Sequence, residues 1–314
     1  MELQSTHTIA FYNIENLFDV NDDPLTNDND FLPSSAKHWD KKRYERKLYK
    51  SGLVISKIGF DALQKPPTII GLAEIENDAV LENLIQTSEL KPYNYGFVHY
   101  DSSDERGIDV ALLYNKDDFT LEHSETFEVL IKDDFDVRDY TRDILLVSGV
   151  LEGEKLHFIV NHWPSRHEGS DVTAFKRKIA ANKVIEIITK IRLENTDAKI
   201  IVMGDFNDNP NDESVKHLKN MASLYNPMET LWSNDRGSVN FNFKWIQFDQ
   251  ILFTTNFFEP NPKEFAFHKA DIFDDAFLTQ YKGKYKGQPF RTYVGKKYKG
   301  GFSDHFPVYI QLKK

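Results

Sequence analysis

The segment Lys199–Pro210, KIIVMGDFNDNP, constrains this chain more than any other stretch. Its apolar run reads as a buried strand that delivers Gly204-Asp205 at its end, with Asn207 two residues further on. A carboxylate fixed at the mouth of a buried strand is costly unless a positive group or a hydrogen-bonded water meets it. The rest of the fold therefore has to bring a cation, donors or both to that strand end.

Comparable interruptions recur along the chain. Thr8–Tyr12 (TIAFY) reads as a strand ending at Asn13, and Thr68–Ala73 (TIIGLA) as a buried strand stopping at Glu74. Ile108–Tyr114 is a strand led in by the charged turn DERG. Ile144–Val150 and Leu156–Val160 form a hairpin about Glu152-Gly153-Glu154, and its second strand ends at Asn161-His162. Strands at Gln250–Thr254 and Phe306–Leu312 follow Asp249 and Ser303-Asp304-His305. Helices are predicted over 38–59, 78–86, 173–192 (started by Asp171 or Thr173) and 212–219. On the first, Tyr44, Leu48, Leu53, Ile55 and Ile58 make the inner face, and Lys41, Lys42, Arg43, Arg46, Lys47 and Lys50 an outer basic face. Strands and helices alternate and no linker-like tract divides them, so the reading is one α/β domain over 1–314.

Several classes are excluded. No apolar run approaches the roughly 20 residues of a membrane-crossing helix. With no cysteine, any metal must sit on carboxylate, amide or imidazole groups, which favours Mg²⁺, Mn²⁺ or Ca²⁺. Asp19–Asp30 is acidic, but Pro24 stands where a calcium loop needs Gly and no Glu closes it; a solvated loop is the reading. The net charge of −10 argues against a broad hold on nucleic acid, although a local basic patch still acts within the screening distance of about 8 Å. The N-terminus has no basic-then-apolar leader. The expected location is cytoplasmic if Met1 is the native start, and secreted or periplasmic if a signal peptide was trimmed.

Asn13, Glu74, Asn161-His162 and Asp205 fall at the C-terminal ends of strands, the edge where α/β sheets bind ligands. Asp249-Gln250 and Ser303-Asp304-His305 introduce the last two strands. Any one of these is commonly a cap, a turn residue or a satisfied core polar group, but the whole set is not so explained. The inventory fits hydrolysis of a phosphate ester. Hard oxygen ligands hold Mg²⁺, which neutralises phosphoryl charge. Asn and protonated His donate to phosphate oxygens. One carboxylate orients and deprotonates water, and another behind a His fixes its tautomer.

The motifs FYNIENLF (11–18), GLAEIEN (71–77), RGIDVALLY (106–114), NHWPSR (161–166), GDFND (204–208), FDQILF (248–253) and SDHFPV (303–308) run nearly end to end. In this order and spacing the chain resembles the endonuclease/exonuclease/phosphatase family of metal-dependent phosphoesterases. That resemblance implies a deoxyribonuclease I-like fold, a four-layer α/β sandwich of two packed mixed sheets flanked by helices. It implies Glu74 as principal Mg²⁺ ligand (Mn²⁺ as substitute), with Asn13 beside the metal and Asp304 completing the acidic cluster. Asp205 would orient or deprotonate water, Asn207 would bind phosphate oxygens, and His305 would contact the scissile phosphate with Asp249 behind it. His162 would be a second phosphate-contacting histidine, with Asp109 as its candidate orienting carboxylate. Asn161, Arg106, Arg142, Ser165 and Arg166 are candidate substrate contacts, with surface or structural ion pairs as the alternative for the arginines.

The substrate is less constrained. Between Phe277 and Ser303 there is no acidic residue, while Lys282, Lys284, Lys286, Arg291, Lys296, Lys297 and Lys299 alternate with Tyr281, Tyr285, Phe290, Tyr293 and Tyr298. Basic residues interleaved with aromatics suit backbone phosphates and stacked bases; a solvated Lys-rich hairpin is the alternative. The expected reaction is cleavage of DNA or RNA. A small phosphoester such as an inositol phosphate, sugar phosphate or lipid head group is the second reading. A non-catalytic binding module is the third, disfavoured because every expected metal and base residue is retained.

Overall fold

The computed structural model describes residues 5–314 apart from 133–135, 168, 260 and 262. Twelve of its strands, numbered here in chain order, build two six-stranded sheets. They are β1 (Thr6–Leu17), β2 (Ile69–Ile75), β3 (Tyr95–His99), β4 (Asp109–Asn115), β5 (Phe119–Phe127), β6 (Ile144–Leu151), β7 (Glu154–His162), β8 (Lys199–Asp205), β9 (Leu224–Tyr225), β10 (Asp249–Thr254), β11 (Ala266–Ile272) and β12 (Val308–Lys313). The first sheet runs β11-β12-β1-β2-β4-β3 and the second β9-β10-β8-β7-β6-β5.

Each sheet has one parallel pair, β1–β2 and β7–β8, with antiparallel neighbours on either side. Parallel strands need a crossover, and helices supply both: α1 (Lys41–Lys57) and α3 (Ser170–Glu194). Two further helices, α2 (Asp78–Ile85) and α4 (Glu213–Met221), complete the outer layers.

The period-2 alternation of β8 sorts its side chains. Ile201 and Met203 pack between the sheets, whereas Ile200 and Val202 pack under α3 and α4 with Val184, Ile188 and Leu218. The sheets approach closely: a Cβ on Gly71 of β2 would lie 2.6 Å from Met203 Sδ. Two mixed sheets flanked by helices match the expected architecture.

The structure departs from expectation in several places. β1 does not stop at Asn13; Glu15 (φ +61°) and Asn16 (φ +54°) bulge, and pairing with β2 resumes at Leu17. β2 likewise continues past Glu74, which has φ +66° and interrupts its register against β4. Glu74 therefore sits on a bulge and Asn13 directly before one, and bulges re-aim side chains out of the ladder. α3 begins at Ser170 behind Gly169, so Asp171 and Thr173 lie inside its first turn. The Asp19–Asp30 loop is not wholly solvated: Asp28 is buried and accepts from the Asp23 backbone N–H. Lys47, expected on an exposed basic face, is buried instead. Its Nζ donates to Thr292 Oγ1 at 2.7 Å and to the Phe302 carbonyl at 2.6 Å. Two polar acceptors on a distant loop thus hold it under α1, with Glu15 the nearby countercharge.

Gly204 pairs with Asn161 across β7–β8, and a Cβ there would lie 2.4 Å from the Asn161 carbonyl oxygen. Backbone cannot yield as a flexible side chain does, so Gly204→Ala should destabilise the fold by about 3 kcal/mol. An unchanged urea midpoint would contradict this close approach.

Candidate active site

Strand ends from both sheets meet at Asp205. Its parity with Ile201 and Met203 points it into the inter-sheet space, where it is 2% exposed. Oδ1 accepts the Asn207 backbone N–H at 2.9 Å, and Oδ2 accepts Asn13 Nδ2 at 3.0 Å. The same Oδ2 lies 3.7 Å from His162 Nε2 and 3.9 Å from His305 Nε2. His305 is held from behind, with Nδ1 2.7 Å from Oδ2 of the fully buried Asp249. Asp249 faces Asp205 across the antiparallel β8–β10 pair, which is why a single register brings the two carboxylates to one imidazole.

The electrostatics follow from this packing. Burial pushes the Asp205 carboxyl up to about 6, with Asp249 adding to the rise and His305 opposing it. For His305, burial favours the neutral ring, but Asp249, Asp205 and Asp304 outweigh it and hold its pKa well above the ordinary value. His305 is thus an imidazolium with Nδ1–H on Asp249 and Nε2–H turned toward the cleft. His162 is the opposite case: burial, then the charges of Arg142, Arg106 and His305, keep it neutral.

A cavity of about 260 Å³ opens beside this cluster, with Glu15, Glu74, Asp304, Arg106, Arg291 and Tyr293 among its walls. Glu74 accepts the Asn16 backbone N–H at 2.8 Å and only a long 3.4 Å contact from Asn13, leaving oxygen lone pairs toward the cavity. Asp304 accepts from Arg291, and the charges of His305 and Arg291 hold it below the usual carboxylate range against the effect of burial. Two carboxylates with spare oxygens are a donor set that fits a hard divalent ion. Asn13 does not join them as expected. Its oxygen is taken by the Glu15 backbone N–H at 3.0 Å, and its NH₂ faces Glu74 and Asp205, so it bridges the carboxylates as a donor.

Glu15 and Lys47 were not expected as site residues, and Arg291 was expected only as a member of the basic, aromatic stretch. Glu15 is buried and accepts the Thr292 backbone N–H at 2.6 Å, anchoring the loop that presents Arg291. Burial, then the Asp304 charge, pushes its carboxyl up to about 7. The one signal was an acid inside FYNIENLF that strand alternation left without an assignment.

Several candidates are corrected. Asn161 shares the parity of Ile159 and faces the helices. It bonds the Ile159 and Met203 carbonyls and Trp163 Nε1, so it is part of the packing. Arg142 is buried on Asp104 at 3.0 Å and on the Trp163 carbonyl at 3.1 Å, the structural ion-pair alternative. Arg166 is held by Asp208, Asp212 and the Asn207 carbonyl, bracing the GDFND loop. Asp109 does not pair with His162; it accepts the Ser102 backbone N–H, and His162 Nδ1 is buried without a hydrogen-bond partner among the described residues. Asn207 has φ +49° and spends one N–H on the Trp163 carbonyl at 3.0 Å, leaving the other. Arg106 reaches the cavity rim and bonds Asn16 Oδ1, and half-buried Ser165 lies in the loop after β7.

A model of the endonuclease/exonuclease/phosphatase family matches residues 8–314, and the chain belongs to that family. Solved structures agree with the fold. A family protein from Bacteroides thetaiotaomicron is 18% identical with TM-score 0.63, covering 99% of this chain and 98% of that one. A mannosyl-6-phosphatase from the same organism is 17% identical with TM-score 0.60, covering 98% of this chain and 99% of that one. D. rerio TDP2 complexed with single strand DNA product is 16% identical with TM-score 0.58, covering 99% of this chain and 100% of that one. No curated protein sequence matches the chain.

If Asp249 sets the tautomer and charge of His305, Asp249→Asn should lower kcat on an activated phosphodiester by about 10²–10⁴-fold with little change in KM and an intact urea transition. Turnover within a few-fold of the parent would remove Asp249 from that role.

Proposed function

We propose that this protein is a Mg²⁺-dependent phosphoesterase that cleaves phosphodiester bonds in a nucleic-acid strand. The observation that carries the reading is Asp205, with one oxygen facing both histidine Nε2 atoms at 3.7 and 3.9 Å beside the carboxylate-lined cavity. In that position Asp205 orients a water and takes its proton. His305, protonated against Asp249, donates from Nε2 to a non-bridging phosphate oxygen, and neutral His162 offers a second polar contact. Asn207 supplies its remaining N–H. Mg²⁺ or Mn²⁺, held by Glu74 and Asp304, would neutralise phosphoryl charge and stabilise the leaving oxygen.

The nucleic-acid part rests on the surface next to the cleft. Lys282, Lys284, Lys286, Lys296, Lys297 and Lys299 are exposed. None has an ion-pair partner among the described residues. Arg43 of α1 lies over the Tyr298 ring at 4.5 Å, joining the helix's remaining basic residues to the 293–299 ribbon. Exposed Phe243 stacks on Tyr285 with ring centroids 5.5 Å apart. Cations beside exposed rings suit a single strand, whose bases are free to stack. The second reading, a small phosphoester, is favoured by the compactness of the cavity that Arg106 and Arg291 line.

EDTA should abolish hydrolysis and Mg²⁺ or Mn²⁺ restore it; activity that survives chelation would sink the metal mechanism. Changing Lys296, Lys297 and Lys299 to Ala should weaken single-strand binding and flatten the log–log salt slope by about 2. An unchanged slope, with small phosphoesters turned over faster than oligonucleotides, would favour the second reading.

A further inference from the structure

Outside the cleft, the connection between β3 and β4 gathers a second set of ligating groups. Atoms of His99, Asp101 and Asp109 lie within 4.8 Å of one another. The antiparallel β3–β4 pairing places them there, because His99 ends β3 and Asp109 opens β4. The His99 side chain is 1% exposed, and its Nδ1 lies 2.9 Å from Asp78 Oδ1 in the first turn of α2. Its Nε2 is buried without a hydrogen-bond partner among the described residues, and so is Asp109 Oδ1. The other Asp109 oxygen accepts the Ser102 backbone N–H at 3.2 Å. In the neutral ring with Nδ1–H on Asp78, Nε2 carries a lone pair, which leaves it and Asp109 Oδ1 as two buried acceptors in a group whose ligating atoms lie within 4.8 Å of one another.

A bound cation would satisfy both acceptors. A carboxylate behind one imidazole nitrogen and a bare second nitrogen is how proteins hold a metal-bound histidine. Asp101 is exposed, so water has access to complete the coordination. One imidazole with two carboxylates suits Zn²⁺ better than Mg²⁺, which prefers an all-oxygen shell. On one side the group opens onto a cavity of about 880 Å³ walled by Asp101, Asp109, Asp22, Asp23 and Glu76, an acidic approach for a cation.

We propose that His99 Nε2, Asp109 and Asp101 form a Zn²⁺ site, separate from the catalytic metal residues, that clips the β3–β4 connection. The same connection carries Asp104, which pairs with buried Arg142, and Arg106, which bonds Asn16 at the rim of the catalytic cavity. The clip therefore positions Arg106.

The test is calorimetric titration of metal-stripped full-length protein with Zn²⁺ in excess Mg²⁺, with Glu74→Gln in every sample to weaken the catalytic cluster. The parent should take up Zn²⁺ tightly and melt at a higher temperature with it. His99→Gln should lose that uptake and the thermal shift, and Asp78→Asn should bind about 10–100-fold more weakly. Should His99→Gln fail to melt cooperatively, Asp78→Asn and Asp101→Asn carry the same comparison. The proposal is overturned if these variants bind Zn²⁺ as the parent does, or if the parent binds none in excess Mg²⁺.

Discussion

Everything in this structure turns on a carboxylate buried where two sheets meet. Asp205 has almost no exposure, yet its two oxygens accept from a backbone N–H and an asparagine amide and face two imidazoles. A lone buried carboxylate would cost several kcal/mol. Here the imidazolium of His305 offsets that cost, and Asp249 behind it keeps that imidazolium charged. The charges are arranged so that a proton can be taken from water at one atom while a hydrogen bond is given at another. That division of labour is what phosphoester hydrolysis requires.

The second sheet supplies Asp205, His162 and Asp249, while the first supplies Glu74 from a bulge in β2 and Asn13 just before the bulge in β1. Left-handed backbone at Glu15 and Glu74 is unfavourable for a glutamate, and the surrounding packing holds it. Glu15 and Lys47 extend the same economy outward. They fasten the 290–302 loop by its backbone and the Thr292 hydroxyl and so carry Arg291 to Asp304. The buried lysine is a site-building residue, although it lies on a helix that otherwise exposes its cations.

Much of the site was legible because its members break apolar strands: Asn13, Glu74, Asp205, Asp249 and His305 each stand out against an apolar run. What position alone did not reveal was direction. Asn161 and His162 are adjacent at the same strand end, yet the alternation of Phe158, Ile159 and Val160 sends one toward the helices and the other toward the cleft. Lys47 was misread because its partner Thr292 is 245 residues away, beyond any local pattern. The bulges escaped because their positive-φ residues are Glu and Asn, with no glycine to mark them. Asp109 opens β4 opposite the end of β3 and accepts from Ser102, a neighbourhood that spacing along the chain does not reveal without β3.

Membership of the family follows from the match over residues 8–314 and the two-sheet architecture from the strand order, while the choice of substrate falls to the surfaces around that frame. The basic, aromatic flank and the compact cavity pull toward different phosphoesters. The central claim concerns Asp205 under either reading. It is tested most directly by single-turnover hydrolysis of a single-stranded oligonucleotide at saturating Mg²⁺ by Asp205→Asn beside the parent, with Mg²⁺ affinity measured for both. The account predicts a loss of about 10²–10⁴-fold in the chemical step with Mg²⁺ affinity unchanged. A rate within tenfold of the parent would contradict it.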